Sequence, residues 1–493
     1  MRMILTKDYR LKTWADWFYH PLGYTGLALI VLILSGVIVK FGSVAAISMI
    51  MIAIGVPFCL AIINYPVFGV ISLMVAAYLI MWLNRMLLSF PAGVIMDGLE
   101  VLMVIGFILK HKYDRTWEFL KSPISLMVTL WLIYNFLEVI NPVTESRMAW
   151  LFTIRTLGIV CLMYFVFIYH IKSVGFIRLI VKTWLILSVF AALYTILQEF
   201  HGFLAFEKTW LATDGSNSGL YFIGGRWRRF SIFSDPVAAA YNMVISTILC
   251  LVLMLGVKSV IKKVALALMG AVCVVALLYT GIRGAFVLLP AGIGLLFLLK
   301  LSKKSFIVGL ICIALFGMFL KMPIQNTALY RVQTAFFPSY DPSFNVRKYN
   351  QKRIQPYIQA HPFGGGLGAT GMWGQRFSKG SYLASFPPDS GFMRVAVEEG
   401  WIGLILLCAF LFIILRQGIK NYFAIHDNEL KTYCLAMVLI VFVLSIGNYP
   451  QEALVQFPVN IYFYLVAALI NITLTLDLQK RENQQLKSIY NLL

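Results

Sequence analysis

About fourteen apolar runs of roughly 17–25 residues, separated by short basic loops, dominate this 493-residue chain. No water is available in a hydrocarbon layer, so every backbone N–H and C=O there must be satisfied within the segment or a closed barrel. Runs of this length satisfy the helical solution and are far too long for barrel strands. Hydrophobic residues make up 60% of the chain and charged residues 13%, which excludes an ordinary soluble domain. The expected fold is therefore an all-α polytopic membrane protein of about 12–14 transmembrane helices with a large, partly helical periplasmic loop. Within the 43–83 region only Asn64-Tyr65-Pro66 separates two apolar runs, so that stretch reads as one span or two.

The formal charge is +20, yet this is not a nucleic-acid footprint, because the cations sit in short loops between apolar runs. With the N-terminus inside, the basic groups Lys110 to Lys121, Lys258 to Lys263, Lys300 to Lys304, Arg416 with Lys420, and Lys480-Arg481 all fall on one side. That is the pattern of the positive-inside rule, and it places both termini in the cytoplasm. Arg2, Lys7, Arg10 and Lys12 precede an apolar stretch without a small-residue cleavage site, which reads as a retained first helix. The chain then divides into N-terminal helices (1–199), an outer loop (200–235), further helices (236–320), a large outer loop (321–396) and C-terminal helices with a cytoplasmic tail (397–493). All seven cysteines lie in apolar segments, so neither a disulfide framework nor a cysteine metal site is expected.

Three outer-face clusters carry the chemistry. Arg226-Trp227-Arg228-Arg229 stands before the span that opens at Pro236. Guanidinium groups there either fork onto phosphate oxygens or snorkel to the interface. Arg283 lies in the glycine-flanked reversal Gly281-Ile282-Arg283-Gly284, where fixed helix ends would make it a preorganised anion ligand. Pro388-Asp389-Ser390-Gly391 supplies an acid in a basic loop, either a general base toward a hydroxyl or a helix N-cap. The loop's excess of Arg331, Arg347, Lys348, Lys352, Arg353, Arg376, Lys379 and Arg394 points to an anionic ligand.

The string Gly366-x-Gly368-x-x-Gly371 follows no strand, so it is not a dinucleotide fingerprint. It forms an anion nest or permits a turn. His361 reads first as structural. Asp97, Glu100 and Arg155 lie within spans and are open to pairing or function. No D-x-D, paired histidines or outer acidic cluster is visible, so no metal or other cofactor is expected.

In this order the clusters resemble the O-antigen ligase and O-antigen polymerase superfamily of bacterial membrane glycosyltransferases. Arg229 through Asp235-Pro236 is similar to the family's arginine and (D/N)-P element. Thr280 through Ala285 is similar to its Ser/Thr-x-Arg-Gly-Ala element with one extra residue. Arg347 through Pro362-Phe363-Gly364 and Gly368 is similar to its loop helix and glycine run. The final H-N-x-x-L…E-x-G-x-x-G run aligns through Glu398 and Gly400, with Asp389 and Ser390 in place of the histidine and asparagine. The likeness covers roughly residues 200–410.

It implies transfer of a glycan from an undecaprenyl-diphosphate-linked donor to an acceptor hydroxyl on a growing polymer, lipid A-core or another lipid-linked acceptor. The reaction would take place at the periplasmic face of the bacterial inner membrane, without metal and with inversion. The implied catalytic residues are Asp389 and Arg283. The implied diphosphate ligands are Arg226, Arg228, Arg229, Arg283, Arg347 and Arg353, with His361 and Arg394 as secondary candidates. Asp389 in the histidine position points away from the ligase subtype and toward a polymerase or transfer to another acceptor, and the choice between polymerase and ligase stays open. A flippase for the same lipid-linked sugar is the alternative, but it calls for internal repeats and broken mid-membrane helices. The unusual residues here gather at one face instead.

Overall fold

The computed structural model describes residues 21–87, 92–114, 117–213, 219, 221–223, 225–300, 303–323, 327–337 and 342–490. Arg2, Lys7, Arg10, Lys12 and Arg115 lie outside them. The chain forms two compact units, Met1–Asn64 and Tyr65–Leu493. The first contributes α1 (Pro21–Asn64), interrupted at Gly42 by φ 67 and ψ −151. That backbone is open to glycine alone at low cost, and it divides α1 into the apolar stretches Tyr24–Phe41 and Ser43–Asn64.

The second unit opens with α2 (Pro66–Met86), which carries proline in its first turn, where the missing N–H costs nothing. Residues 43–83 are therefore two helical runs divided at Tyr65. There follow α3 (Ala92–Asp114), α4 (Pro123–Leu137), α5 (Arg147–His170) and α6 (Val174–Phe200). Residues 200–235 include α7 (Ala205–Thr213) and a short antiparallel pair, β1 (Phe222–Ile223) with β2 (Arg226–Trp227). Next come α8 (Pro236–Gly256), α9 (Val260–Thr280), α10 (Arg283–Phe286), α11 (Leu288–Leu299) and α12 (Lys303–Lys321). The large loop holds α13 (Thr327–Ala335), α14 (Pro342–Ala360) and α15 (Gly371–Phe377). The chain closes with α16 (Gly391–Glu398), α17 (Gly400–Ala424), α18 (Asn428–Gly447) and α19 (Val459–Tyr490).

Eleven helical stretches among the described residues are long and apolar enough to cross a membrane, and Arg283–Leu299 is a shorter apolar helix. The protein is an all-α polytopic membrane protein. The span expected from residue 397 begins at Gly400, because Gly400 adopts φ +72 and separates the short α16 from α17.

The interior of the second unit is built on α8, α18 and the first part of α19, the most buried apolar helices. Small residues allow close approach. A side chain at Gly292 would strike Ile248 and Val443, one at Gly418 would strike Val438, and one at Gly447 would strike Tyr241. Tyr241 also donates to the Gly447 carbonyl at 2.7 Å. A chain of hydroxyls, Tyr78 to Ser188 to Ser246, ties α2, α6 and α8 together.

The loops sort by end. In the first turns of α6, Arg178 forks onto Glu429 at 2.6 and 2.7 Å, while Asp477 accepts from the backbone N–H groups of His426 and Asp427. Glu199, in the last turn of the same helix, meets the arginine segment 226–229.

Candidate functional site

The first arginine segment is held in a strained reversal. Ser231 has φ 54, a left-handed backbone that costs a non-glycine residue on the order of 1–3 kcal/mol. Four bonds fix it there. Its N–H donates to Gln198 Oε1 at 2.8 Å and its hydroxyl to the Ala191 carbonyl at 2.6 Å. Its carbonyl accepts from Arg85 Nη1 at 2.9 Å and from Gln198 Nε2 at 3.4 Å. Arg85 is fully buried over the Phe230 ring, 4.3 Å from its centroid. Asp235 then caps α8, accepting from the N–H groups of Val237 and Ala238. Its place beside Pro236 is thus explained by helix capping.

The arginines divide into two kinds. Arg229 is mostly buried, donates to Glu199 at 2.8 Å and lies 4.8 Å from the Phe203 ring centroid. Arg226 reaches the same carboxylate at 3.4 Å and is far more exposed. Arg228 and Arg331 flank Gly281: a Cβ there would lie 3.6 Å from Arg228 Cγ and 3.0 Å from Arg331 Nη1. Gly281 is also in the left-handed region at φ +66, so this turn needs glycine twice over. Burial and then the charges of Arg226 and Arg283 lower the Arg331 pKa. Like charges this close favour an anion between them. Arg331 was read from sequence only as loop charge. No motif marks it, and only the packing of α13 on the Arg283 turn reveals it.

The third cluster reaches this group through Pro450. A Cβ on Gly284 would lie 3.2 Å from the Pro450 Cβ, and the Pro450 carbonyl accepts from Arg347 Nη1 at 3.3 Å. Arg347, Asn350, Asp389 and Ser390 line one small cleft. Asp389 is not the helix cap. Ser390 caps α16, accepting from the Met393 N–H, while the Asp389 carboxylate accepts from Asn350 Nδ2 at 3.1 Å. The structure thus brings Arg226, Arg228, Arg283, Arg331, Arg347 and Asp389 to one end of the second unit.

The glycine run resolves as a nest already filled. Gly365 and Gly366 donate their N–H groups to the carbonyls of Val397 and Glu398 at 2.9 and 2.8 Å. The N–H groups of Gly368 and Thr370 take the Glu398 carboxylate at 2.9 and 3.2 Å, and the Thr370 hydroxyl joins them. The anion cradled there is the chain's own.

Arg394 lies between Glu398 at 3.3 Å and Glu452 at 2.8 Å. Burial alone would lower its pKa, but the two carboxylates outweigh burial and raise it. Burial, and then the charge of Glu398, raises the Glu399 carboxyl well above the usual carboxylate range. Glu138, Glu398, Glu399 and Glu452 form an acidic cluster that the sequence reading did not anticipate, because its members come from three distant segments. Among the described residues no group of three or more His, Cys, Asp or Glu is arranged to hold a metal ion.

The remaining candidates sit elsewhere. Arg353 is exposed, 5.8 Å from the Phe386 ring centroid. His361 stacks on Tyr357 at 4.0 Å, with Nδ1 2.8 Å from the Tyr357 carbonyl, and lines a separate cavity of about 150 Å³ with Thr144, Glu145 and Tyr382. Asp97 pairs with Arg155 at 3.3 Å.

Residues 265–408 match a family model described as O-antigen ligase, a stretch that holds the Arg283 turn, Asp389 and the glycine run. No curated protein matches the chain.

Proposed function

We propose that this chain, which matches a family model described as O-antigen ligase over residues 265–408, transfers a glycan from an undecaprenyl-diphosphate-linked donor to an acceptor hydroxyl on a glycan or lipid-linked glycan. The site faces the periplasm of a bacterial inner membrane, with both termini cytoplasmic, in keeping with the basic loops on the opposite side. The observation that carries this reading is the meeting of Arg226, Arg228, Arg283 and Arg331 around Gly281, joined through Pro450 to the cleft of Arg347 and Asp389.

The acceptor oxygen attacks the anomeric carbon from the side opposite the diphosphate, and a new C–O bond forms with inversion. The old anomeric C–O bond breaks, and its electron pair leaves on the diphosphate. Guanidinium groups, in the place of a divalent cation, take up the charge that develops there. Asp389, oriented by Asn350, receives the hydroxyl proton. Arg229 supports the segment from below through Glu199.

The test is transfer by the purified protein from an extracted lipid-linked donor. Arg283→Ala is expected to slow it by about 10²–10³-fold. Arg283→Lys is expected to be nearly as poor, because one point charge does not reproduce a forked contact. Asp389→Ala should abolish base catalysis. Normal transfer by both alanine variants would sink this assignment.

A further inference from the structure

A cavity of about 470 Å³ opens on the other side of residues 388–391 from the Asp389 cleft, and Pro388 and Gly391 line it. It runs between α5, α17 and α19. Its lower wall is apolar and aromatic, with Trp131 and Phe410 stacked at 6.4 Å between centroids. Its upper wall carries Arg394, Glu398, Glu399 and Glu452. Glu398 and Glu452 both pair with the one guanidinium, so this wall lacks the net positive charge of the arginine cluster beyond Pro450. Glu399 is 2% exposed and lines the cavity, and its Oε2 has no hydrogen-bond partner. A buried polar atom left without a partner is destabilising. An apolar wall with a few convergent polar groups is the usual make-up of a small-molecule site.

We infer that this cavity receives the acceptor, an amphiphile with an uncharged hydroxyl-bearing sugar, and that Glu399 and Glu452 hydrogen-bond its hydroxyls. The inference rests on the glycan-transfer reading, and it divides the two substrates by charge. The diphosphate lies with the arginines, the uncharged sugar lies with the acids, and Asp389 stands between them. Burial raises the Glu399 pKa and favours its protonated form, which can donate to a sugar oxygen as well as accept.

The experiment uses the full chain in lipid nanodiscs and two probes, dodecyl maltoside and farnesyl diphosphate, with binding read by native mass spectrometry. Thr156→Trp and Leu157→Trp each place an indole in the cavity from the α5 wall. Each is expected to weaken maltoside binding at least about tenfold, equivalent to 1.4 kcal/mol, and to leave farnesyl diphosphate binding unchanged. Arg283→Ala is expected to do the opposite. Maltoside binding unaltered in both tryptophan variants, or farnesyl diphosphate lost in them instead, overturns the cavity assignment. Farnesyl diphosphate binding that ignores Arg283→Ala, with maltoside still lost in the tryptophan variants, overturns the arginine reading of the donor and supports the cavity.

Discussion

Glu398 and Glu399 are neighbours in sequence with opposite fates. Glu398 turns into the glycine nest and the Arg394 guanidinium, while the Glu399 Oε2 is left without a partner. Burial, and then the charge of Glu398, therefore raises the Glu399 pKa well above its unfolded value of 4.5. A carboxyl whose folded pKa is raised stabilises fully below the unfolded value and loses that contribution as pH rises through the folded one. The thermal stability of the wild type should thus fall as pH rises above about 4.5. Glu399→Gln, which stays neutral, should flatten that decline, and equal pH slopes for the two proteins would refute the raised pKa. Residue identity alone did not distinguish these two acids. Nor did it reveal Arg85 and Arg331, whose roles come from what packs over them. By contrast, the turn that holds Arg283 was legible, because two glycines flank a cation at a span's end.

The junction of α16 and α17 shows how elements position the site. The loop after α14 lays its backbone directly on this junction. A Cβ on Gly400 would lie 1.9 Å from the Pro362 carbonyl oxygen, and one on Gly364 would lie 2.4 Å from the Gly400 nitrogen. Both glycines also have positive φ, so neither close approach nor conformation tolerates a side chain. Gly400→Ala is expected to undock residues 362–370 and release Glu398 from its nest. Faster amide exchange across 364–370 and reduced glycan transfer would report this, while unchanged exchange would count against the docking. The sequence displayed the glycines and, through the resemblance, a loop helix before them, which spans Pro342–Ala360. It did not display their partner, because residues 364–366 dock on residues more than thirty positions away.

At the scale of the whole molecule, hydropathy and charge asymmetry give an orientation that cysteine labelling can check. In a background without native cysteines, an impermeant thiol reagent added from outside should label Lys379→Cys and spare Lys262→Cys, and the reverse pattern would invert the topology. The helical, membrane-crossing architecture was decided by the sequence alone, since a bilayer leaves an apolar run of twenty residues no other way to satisfy its backbone. The sequence also marked the ends at which cations gather. Only the tertiary structure decided that Arg226, Arg228, Arg283 and Arg331 gather around the Gly281 turn, that Asp389 leaves capping to Ser390, and that four carboxyl groups from residues 138, 398, 399 and 452 converge. Those relations depend on which helix ends pack side by side, and that is set by small residues and buried hydrogen bonds between segments hundreds of positions apart, which leave no periodic trace along the chain.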